Sequence, residues 1–242
     1  MKNKTLMIIF TILVFLLFMG IVYFVYTMSN TDAVKFKREY ESLNNVQIEN
    51  SDKKHRKISI PSNNPFIYKT EDEIVKMMNN KETFIVYFGF NKCPWCRSVL
   101  PTLIEVANDY NIETIYYVDI LEIRDILNVD DEGNLITERM GTKGYYKLLE
   151  LFDNVLDDYA LEDKDGNNVI TNEKRIYAPN IVGVVNGKAE KLTTGISDIQ
   201  EEAQDAFMEI SDEMKKDSYS KIECIIKCIN EKNKTCTLEK AC

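Results

Sequence analysis

Between Phe84 and Pro101 the sequence reads FIVYFGFNKCPWCRSVLP. It begins with five apolar, β-branched or aromatic residues before Gly89, which is the length of a buried strand. A Cys-x-x-Cys pair, Cys93 and Cys96, then leads into a helical pattern, in which apolar residues recur at steps of three and four: Val99, Leu100, Leu103, Val106, Ala107 and Tyr110. The stretch therefore predicts a strand, a turn carrying both cysteines, and a helix whose first turn begins at Cys93.

The position of the pair predicts a role for each sulfur. The first turn of a helix offers unpaired backbone N–H groups and the positive end of the helix dipole, which favour a thiolate over a thiol. Lys92 and Arg97 add positive charge beside it. We therefore expect Cys93 to be the attacking sulfur and Cys96, one turn deeper, to resolve the mixed disulfide.

Two prolines extend the pattern. Pro101 stands five residues after Cys96, inside the predicted helix. Ala178-Pro179 precedes a second apolar strand, which a turn joins to a further strand within residues 181–194. In these features the chain resembles the thioredoxin superfamily, which carries a kinking proline in the helix after its cysteines and a cis-proline loop before its terminal hairpin.

The resemblance covers residues 66–216, though not continuously. It implies a thioredoxin-like α/β fold, with a central mixed sheet flanked by helices and a helical insertion before the cis-proline. It also implies a protein disulfide oxidoreductase that requires no organic cofactor, with Cys93 and Cys96 as its catalytic pair and Pro94 in its active-site motif. The residues expected to contact an extended substrate peptide are Trp95, Ala178 and Pro179.

Two features depart from the family's pattern. Tyr87 stands six residues before the first cysteine, where the family's reductases usually carry an acid that helps to move the resolving proton. The strand at 114–118 lacks the lysine often partnered with that acid. An efficient cytosol-type reductase is therefore disfavoured, and the proton acceptor is unassigned. The inner pair Pro94-Trp95 differs from the Gly-Pro of typical thioredoxins. It is closer to the Cys-Pro-aromatic-Cys motif of glutaredoxins and of some membrane-associated thioredoxin-like proteins, including bacteriocin transport accessory proteins.

Composition argues against several other classes of protein. The chain has 242 residues, a net charge of -9 and a pI near 4.9, whereas a nucleic-acid partner would require a basic face. Its one histidine, His55, leaves almost no material for a Cys-His hydrolase or a His-rich metal site, and no metal is expected. His55 stands in a basic run at 53–57 that reads as a solvated linker.

The amino-terminal region predicts a membrane anchor. After Lys2 and Lys4, residues 6–28 form an uncharged apolar run, and about 20 such residues cross a bilayer. We expect an uncleaved single-pass anchor at 1–28 with a short cytoplasmic amino terminus; a cleaved signal peptide is the alternative. Residues 29–65 are polar and without sustained period, so we expect a linker. Six cysteines, four of them in the last 19 residues, suit an oxidising exterior, so we expect the catalytic domain outside the cell membrane. The Lys-, Asn- and Ile-rich composition suggests a bacterial source.

An insertion is expected at about 120–176, with an amphipathic helix at 144–158 and a hairpin at 159–170. By resemblance to thioredoxin-like oxidases of the cell envelope it is a candidate substrate-shaping lid; an extension that only packs on the sheet is the alternative.

Residues 163–174 resemble a calcium-binding loop. Asn168 replaces the required glycine and Lys174 the bidentate glutamate, so a polar turn is preferred.

The carboxyl-terminal region divides into a final amphipathic helix at 198–216 and a tail at 217–242. The tail holds four cysteines, which allow three pairings if the Cys-x-x-Cys pair closes on itself: Cys224, Cys228, Cys236 and Cys242. Two structural disulfides, a four-cysteine zinc site and a second redox relay are the alternatives.

The chemistry expected from the sequence is thiol–disulfide exchange with other proteins by an extracytoplasmic, membrane-anchored domain. Its partners would be protein thiols and disulfides, and a membrane or extracytoplasmic redox partner. The alternative is a thioredoxin-like accessory or binding module in peptide or bacteriocin export, without redox turnover.

Overall fold

A mixed β-sheet lies at the centre of the fold. The computed structural model describes residues 2–29, 31–130, 132–162, 164 and 166–230. Within those residues the elements follow the chain in this order: α1 (Lys2–Ser29), α2 (Asp32–Glu41), β1 (Phe66–Tyr68), α3 (Glu71–Asn79), β2 (Phe84–Gly89), α4 (Pro94–Asp109), β3 (Ile115–Asp119), β4 (Ile126–Val129), β5 (Leu135–Arg139), α5 (Lys143–Phe152), β6 (Asp158–Glu162), β7 (Asn168–Lys174), β8 (Asn180–Val185), β9 (Lys188–Thr193), α6 (Asp198–Ala203) and α7 (Asp212–Asn230).

The sheet has five strands in the order β1-β3-β2-β8-β9. Strands β1 and β2 run parallel to β3, whereas β8 is antiparallel to β2 and β9 is antiparallel to β8. Because β2 and β3 are parallel, their last residues, Gly89 and Asp119, lie side by side at one end of the sheet. The chain segments that leave this end carry the two cysteines and the start of the predicted insertion. The predicted α/β fold with a mixed sheet flanked by helices is confirmed.

Side chains of the central strands alternate between two hydrophobic clusters, one on each face of the sheet. On the first face, Ile85 and Tyr87 of β2 pack with residues of α2, α4 and α7. On the second face, Val86 and Phe88 pack with residues of α3 and α5. Strand β2 is buried along its whole length, because helices cover both of its faces. The helix that follows the cysteines belongs to the first cluster.

Helix α1 covers nearly all of the predicted anchor. Its side chains are described for Lys4 and for residues 7–23, and these are exposed. Over the described residues, no helix is both long and apolar enough to be identified as a membrane span.

The structure differs from the sequence prediction in residues 29–65, which were expected to form a linker. Phe36 and Tyr40 of α2 are fully buried, and the Phe36 ring stacks on Phe66 with a centroid distance of 4.0 Å. Ile60 joins the same cluster. Two aromatic residues four positions apart make a stripe too short to stand out in a polar sequence. They are nevertheless enough to anchor a ten-residue helix on the sheet.

His55 also lies elsewhere than in the expected solvated linker. It is buried, and this burial lowers its pKa, with the positive charges of Arg97 and Lys92 acting in the same direction. The neighbouring Arg56 guanidinium donates to the carbonyl oxygen of Ala206 at 3.2 Å, on the loop between α6 and α7. His55 and Arg56 therefore pack against the domain, whereas Lys53, Lys54 and Lys57 of the same basic run are exposed.

The predicted insertion at 120–176 contains more strand than expected. Helix α5 ends at Phe152, earlier than the predicted 144–158, and it buries its apolar face in the second cluster. Strands β6 and β7 form the predicted hairpin; Asp163 and Asp165, on which the calcium alternative depends, lie outside the described residues. Strands β4 and β5 form a further hairpin that the sequence did not predict.

The carboxyl-terminal helix also differs in its bounds. The predicted helix at 198–216 is two helices: α6 ends at Ala203, where the C-cap residue Gln204 has a φ of 50°, and α7 begins at Asp212. Helix α7 then continues through 217–230, across the predicted start of the tail. Ile222 and Ile225 are fully buried in the first cluster, so this part of the tail belongs to the domain.

Candidate active site at the start of helix α4

The two cysteines lie where β2 leads into α4. Cys93 is the N-cap of α4, with a φ of -69° and a ψ of 118°. Its sulfur accepts the backbone N–H of Cys96 at 3.1 Å. Both residues are free thiols; Cys93 is 3% exposed and Cys96 is fully buried. The two sulfurs are thus in the first turn of the helix, as the sequence predicted.

The surroundings shift the pKa values of the two thiols in opposite directions. Burial alone would raise the pKa of Cys93, but hydrogen bonds from Cys96 and from the Trp95 N–H, together with the positive charge of Arg124, lower it below its ordinary value. Burial raises the pKa of Cys96 well above its ordinary value, and the neighbouring Cys93 raises it further. Cys93 is therefore the sulfur that ionises first.

The proline loop lies against the attacking sulfur. The Ala178-Pro179 peptide bond is cis, and the Cys93 thiol donates to the Ala178 carbonyl oxygen at 3.3 Å. Ala178 and Trp95 are half-buried and pack against the first cluster, and Pro179 is buried. Pro94 occupies the first helical position of α4. The structure thus brings all the predicted site residues to one end of the sheet.

Arg97 has a different role from the one expected. It was predicted to place positive charge beside the attacking sulfur, but it is fully buried, and burial lowers its pKa. Its guanidinium donates at 2.6 to 3.3 Å to four oxygens: the carbonyls of Tyr40, Arg56 and Asn91 and the side-chain amide oxygen of Asn44. Arg97 therefore ties the amino-terminal segment to α4.

The cation near Cys93 is instead Arg124, which sequence reasoning missed. It lies in the turn after β3, and its guanidinium lies over the Phe90 ring at 5.1 Å from the centroid. The carboxyl ends of the parallel strands β2 and β3 are adjacent, so a basic residue soon after β3 faces the loop that follows β2. A prediction that β2 pairs with β3 in parallel would therefore have identified Arg124 as a residue near Cys93.

A second residue without an assigned role is Tyr87. Its hydroxyl is buried and has no hydrogen-bond partner among the described residues. The hydroxyl lies over Gly89, where a Cβ atom would come within 2.7 Å of the oxygen. It lies beside Cys96.

The cysteines of α7 form a separate feature. Cys224 and Cys228 are both disulfide-bonded, and the Lys191 ammonium group donates to the Cys224 sulfur at 2.9 Å. The remaining two cysteines, Cys236 and Cys242, lie outside the described residues. Within the described chain, no group of three or more potential ligands is placed to hold a metal ion.

No protein-family model matches this chain, and comparison with curated proteins finds no match.

Proposed function

We propose that this protein is a thioredoxin-like thiol–disulfide oxidoreductase that acts on protein disulfides outside the cytoplasm. The observation that carries the proposal is the asymmetry of the pair. Cys93 has a lowered pKa at the start of a helix, whereas Cys96, one turn away, is fully buried with a raised pKa. The Cys93 sulfur is suited to attack as a thiolate, whereas Cys96 stays protonated until it resolves the mixed disulfide.

The proposed reaction conserves thiols and disulfides. The Cys93 thiolate attacks one sulfur of a substrate disulfide and expels the other as a thiolate, which leaves a mixed disulfide. Cys96 then loses its proton and attacks the Cys93 sulfur, which releases the second substrate thiolate. The substrate disulfide is reduced to two thiols and the protein is oxidised; the same steps in reverse oxidise a substrate.

The backbone around Cys93 supports a peptide substrate. The Ala178 carbonyl oxygen lies 3.3 Å from the Cys93 sulfur. An extended peptide with its cysteine at that sulfur would run along this backbone and could pair with it in the manner of an added strand. Trp95, half-buried beside the sulfur, would supply an apolar contact.

The strand order supports the thioredoxin-like part of the proposal. The parallel β1-β3-β2 set with α4 between β2 and β3, followed by the antiparallel β8-β9 pair, is compatible with that architecture. The proposed location outside the cell membrane rests on the apolar run at 6–28 and on the disulfides at Cys224 and Cys228, which suit an oxidising compartment.

The deciding measurement is the equilibrium reduction potential of the Cys93-Cys96 pair in the full chain, equilibrated with glutathione or dithiothreitol buffers. A value towards about -120 mV identifies a disulfide-forming oxidase, and one near about -270 mV identifies a reductase. Cys96→Ser should accumulate mixed disulfides with protein substrates, whereas Cys93→Ser should not. The proposal fails if the pair equilibrates with neither buffer.

A second candidate function is a binding module without redox turnover, and the 3% exposure of Cys93 is the observation that favours it. Alkylation of the reduced native protein separates the two. Rapid reaction of Cys93 supports the oxidoreductase, and resistance until the protein is unfolded supports the binding module.

A further inference from the structure

Three tyrosine hydroxyls are buried behind Cys96. Tyr40, Tyr87 and Tyr117 are all fully buried in the first cluster, which also contains Cys96. None of the three hydroxyls has a hydrogen-bond partner among the described residues. An unpaired buried hydroxyl destabilises a fold, and phenylalanine would fill the same space without it. Three such groups in one place, beside a thiol that must ionise, point to a chemical use.

The backbone fixes where these hydroxyls lie. Tyr87 and Tyr117 are register partners on the parallel strands β2 and β3, and their rings stack with a centroid distance of 5.8 Å. The Tyr40 ring, on α2, lies 6.3 Å from that of Tyr117. Gly89, the next residue on the same face of β2, leaves open the space that the Tyr87 hydroxyl occupies. The hydroxyl thereby reaches the end of the strand, where the loop to Cys93 begins.

The three hydroxyls follow one another from Cys96 towards the surface. Tyr87 lies beside the Cys96 sulfur, and Tyr40 lies beside both Tyr87 and Tyr117. At rest their geometry falls outside that of a hydrogen bond, so a relay along them requires rotations that bring successive hydroxyls into hydrogen-bond contact. Beyond Tyr117, two residues along the same face of β3, is Asp119, an exposed residue whose carboxyl group is partly desolvated.

We propose that Tyr87, Tyr40 and Tyr117 relay the proton of the Cys96 thiol to Asp119 while Cys96 resolves the mixed disulfide. The inference rests on the proposed function. The thiol gives its proton to the Tyr87 oxygen as each hydroxyl passes its own proton to the next oxygen, and the last proton reaches the Asp119 carboxylate and then solvent. The electron pair left on Cys96 forms the bond to the Cys93 sulfur, and the substrate sulfur leaves as a thiolate with the pair of the broken bond.

The hydroxyls conduct the proton but do not retain it. Burial holds the pKa of each of these tyrosines well above its ordinary value, so none of them remains a tyrosinate. Asp119 is the better terminus, because desolvation, followed by the charges of Glu39 and Glu122, raises the pKa of its carboxyl group. Tyr87 contacts a reacting sulfur, whereas Tyr40 and Tyr117 act through it.

The relay can be tested without the physiological substrate. The reduced full-length protein in detergent is mixed with 5,5′-dithiobis(2-nitrobenzoate) in a stopped-flow instrument. Attack by Cys93 releases a first nitrothiobenzoate, and closure by Cys96 releases a second; Cys96→Ser identifies the second phase by removing it. Tyr87→Phe should slow the second phase at least about tenfold, as expected for loss of a group that transfers a proton, and leave the first phase within about twofold.

The matched control is Tyr145→Phe. Tyr145 is also fully buried, and its hydroxyl likewise has no partner within the described part of the chain, but it lies in the second cluster, on the other face of the sheet. This substitution should leave both phases unchanged. Tyr117→Phe should slow the second phase and shift its dependence on pH, and it should change the solvent deuterium isotope effect on that phase, which a purely structural role would not alter.

The outcomes separate the relay from the function on which it rests. Two normal phases in the wild-type protein with no change in the second phase of Tyr87→Phe overturn the relay alone. Absence of the first phase from the folded wild-type protein overturns the proposed function as well. If Tyr87→Phe does not fold, Gly89→Ala is the second variant, because its added methyl group displaces the hydroxyl while retaining it. An unchanged second phase in a folded Gly89→Ala protein likewise contradicts the relay.

Discussion

Replacement of Arg97 by methionine should strongly destabilise this protein. The guanidinium is fully buried and donates to three backbone carbonyls and to the side-chain amide oxygen of Asn44. Methionine keeps the apolar part of the side chain but removes this donor. The Tyr40 carbonyl keeps the Leu43 N–H and the Asn44 amide oxygen keeps the Ile58 N–H, whereas, among the described residues, the carbonyls of Arg56 and Asn91 depend on the guanidinium. A buried acceptor that loses its partner costs about 1–3 kcal/mol, so the Arg56 and Asn91 carbonyls together account for about 2–6 kcal/mol. We therefore expect a loss of about 3–5 kcal/mol in total.

The assay is thermal unfolding of the full chain in detergent, followed by circular dichroism. For a domain of this size each kcal/mol lowers Tm by about 2–4 °C, so Tm should fall by about 6–20 °C. Limited trypsin digestion should also become faster at Lys53 and Lys54, because release of Arg97 frees the segment that they occupy. The control is Lys92→Met, at an exposed position five residues earlier, with an expected change within about 0.5 kcal/mol. A loss below about 1 kcal/mol for Arg97→Met with unchanged digestion would refute the reasoning, since an unattached linker behaves in that way.

Two further predictions concern ionisation and the buried hydroxyls. Iodoacetamide should alkylate Cys93 rapidly below the ordinary thiol pKa of about 8.5 and slow down only as pH falls through its lowered pKa. Arg124→Gln should raise the pKa of Cys93 and so move that decline to higher pH; an unchanged profile would exclude a role for the charge of Arg124. Each unit by which the pKa rises corresponds to about 1.4 kcal/mol. Where the Cys93 thiol is fully ionised, this makes the reduction potential of the pair about 30 mV more negative. The same pKa affects stability, because a thiol whose folded pKa is lowered stabilises the reduced fold above the unfolded pKa, and this stabilisation disappears as pH falls through the folded pKa. Tyr117→Phe should leave the free energy of unfolding in urea unchanged or raise it by about 1 kcal/mol, because it removes an unpaired buried hydroxyl; a clear loss of stability would show that the hydroxyl is satisfied.

The sequence alone determined the elements whose signals are local. The apolar run before Gly89, the Cys-x-x-Cys pair and the periodicity up to Tyr110 predicted β2, the N-cap position and α4, because each depends on neighbours within one or two turns. The Asn186-Gly187 turn between β8 and β9 was similarly readable, since both residues have the positive φ that the turn requires.

Only the tertiary structure decided which distant groups meet at the site. The Arg97 guanidinium binds the carbonyl oxygen of Tyr40, which is 57 residues away in the sequence, and so turns a predicted linker into part of the domain. Strand pairing places Arg124 near Cys93 and sets Tyr117 against Tyr87. The periodicity of apolar residues shows which face of a helix or strand is buried, but it does not show which other segment packs against that face. The sequence alone does not distinguish Arg97, whose guanidinium is buried among backbone oxygens, from Arg124, whose charge lies near the Cys93 thiolate. The difference lies in contacts between segments far apart in the chain.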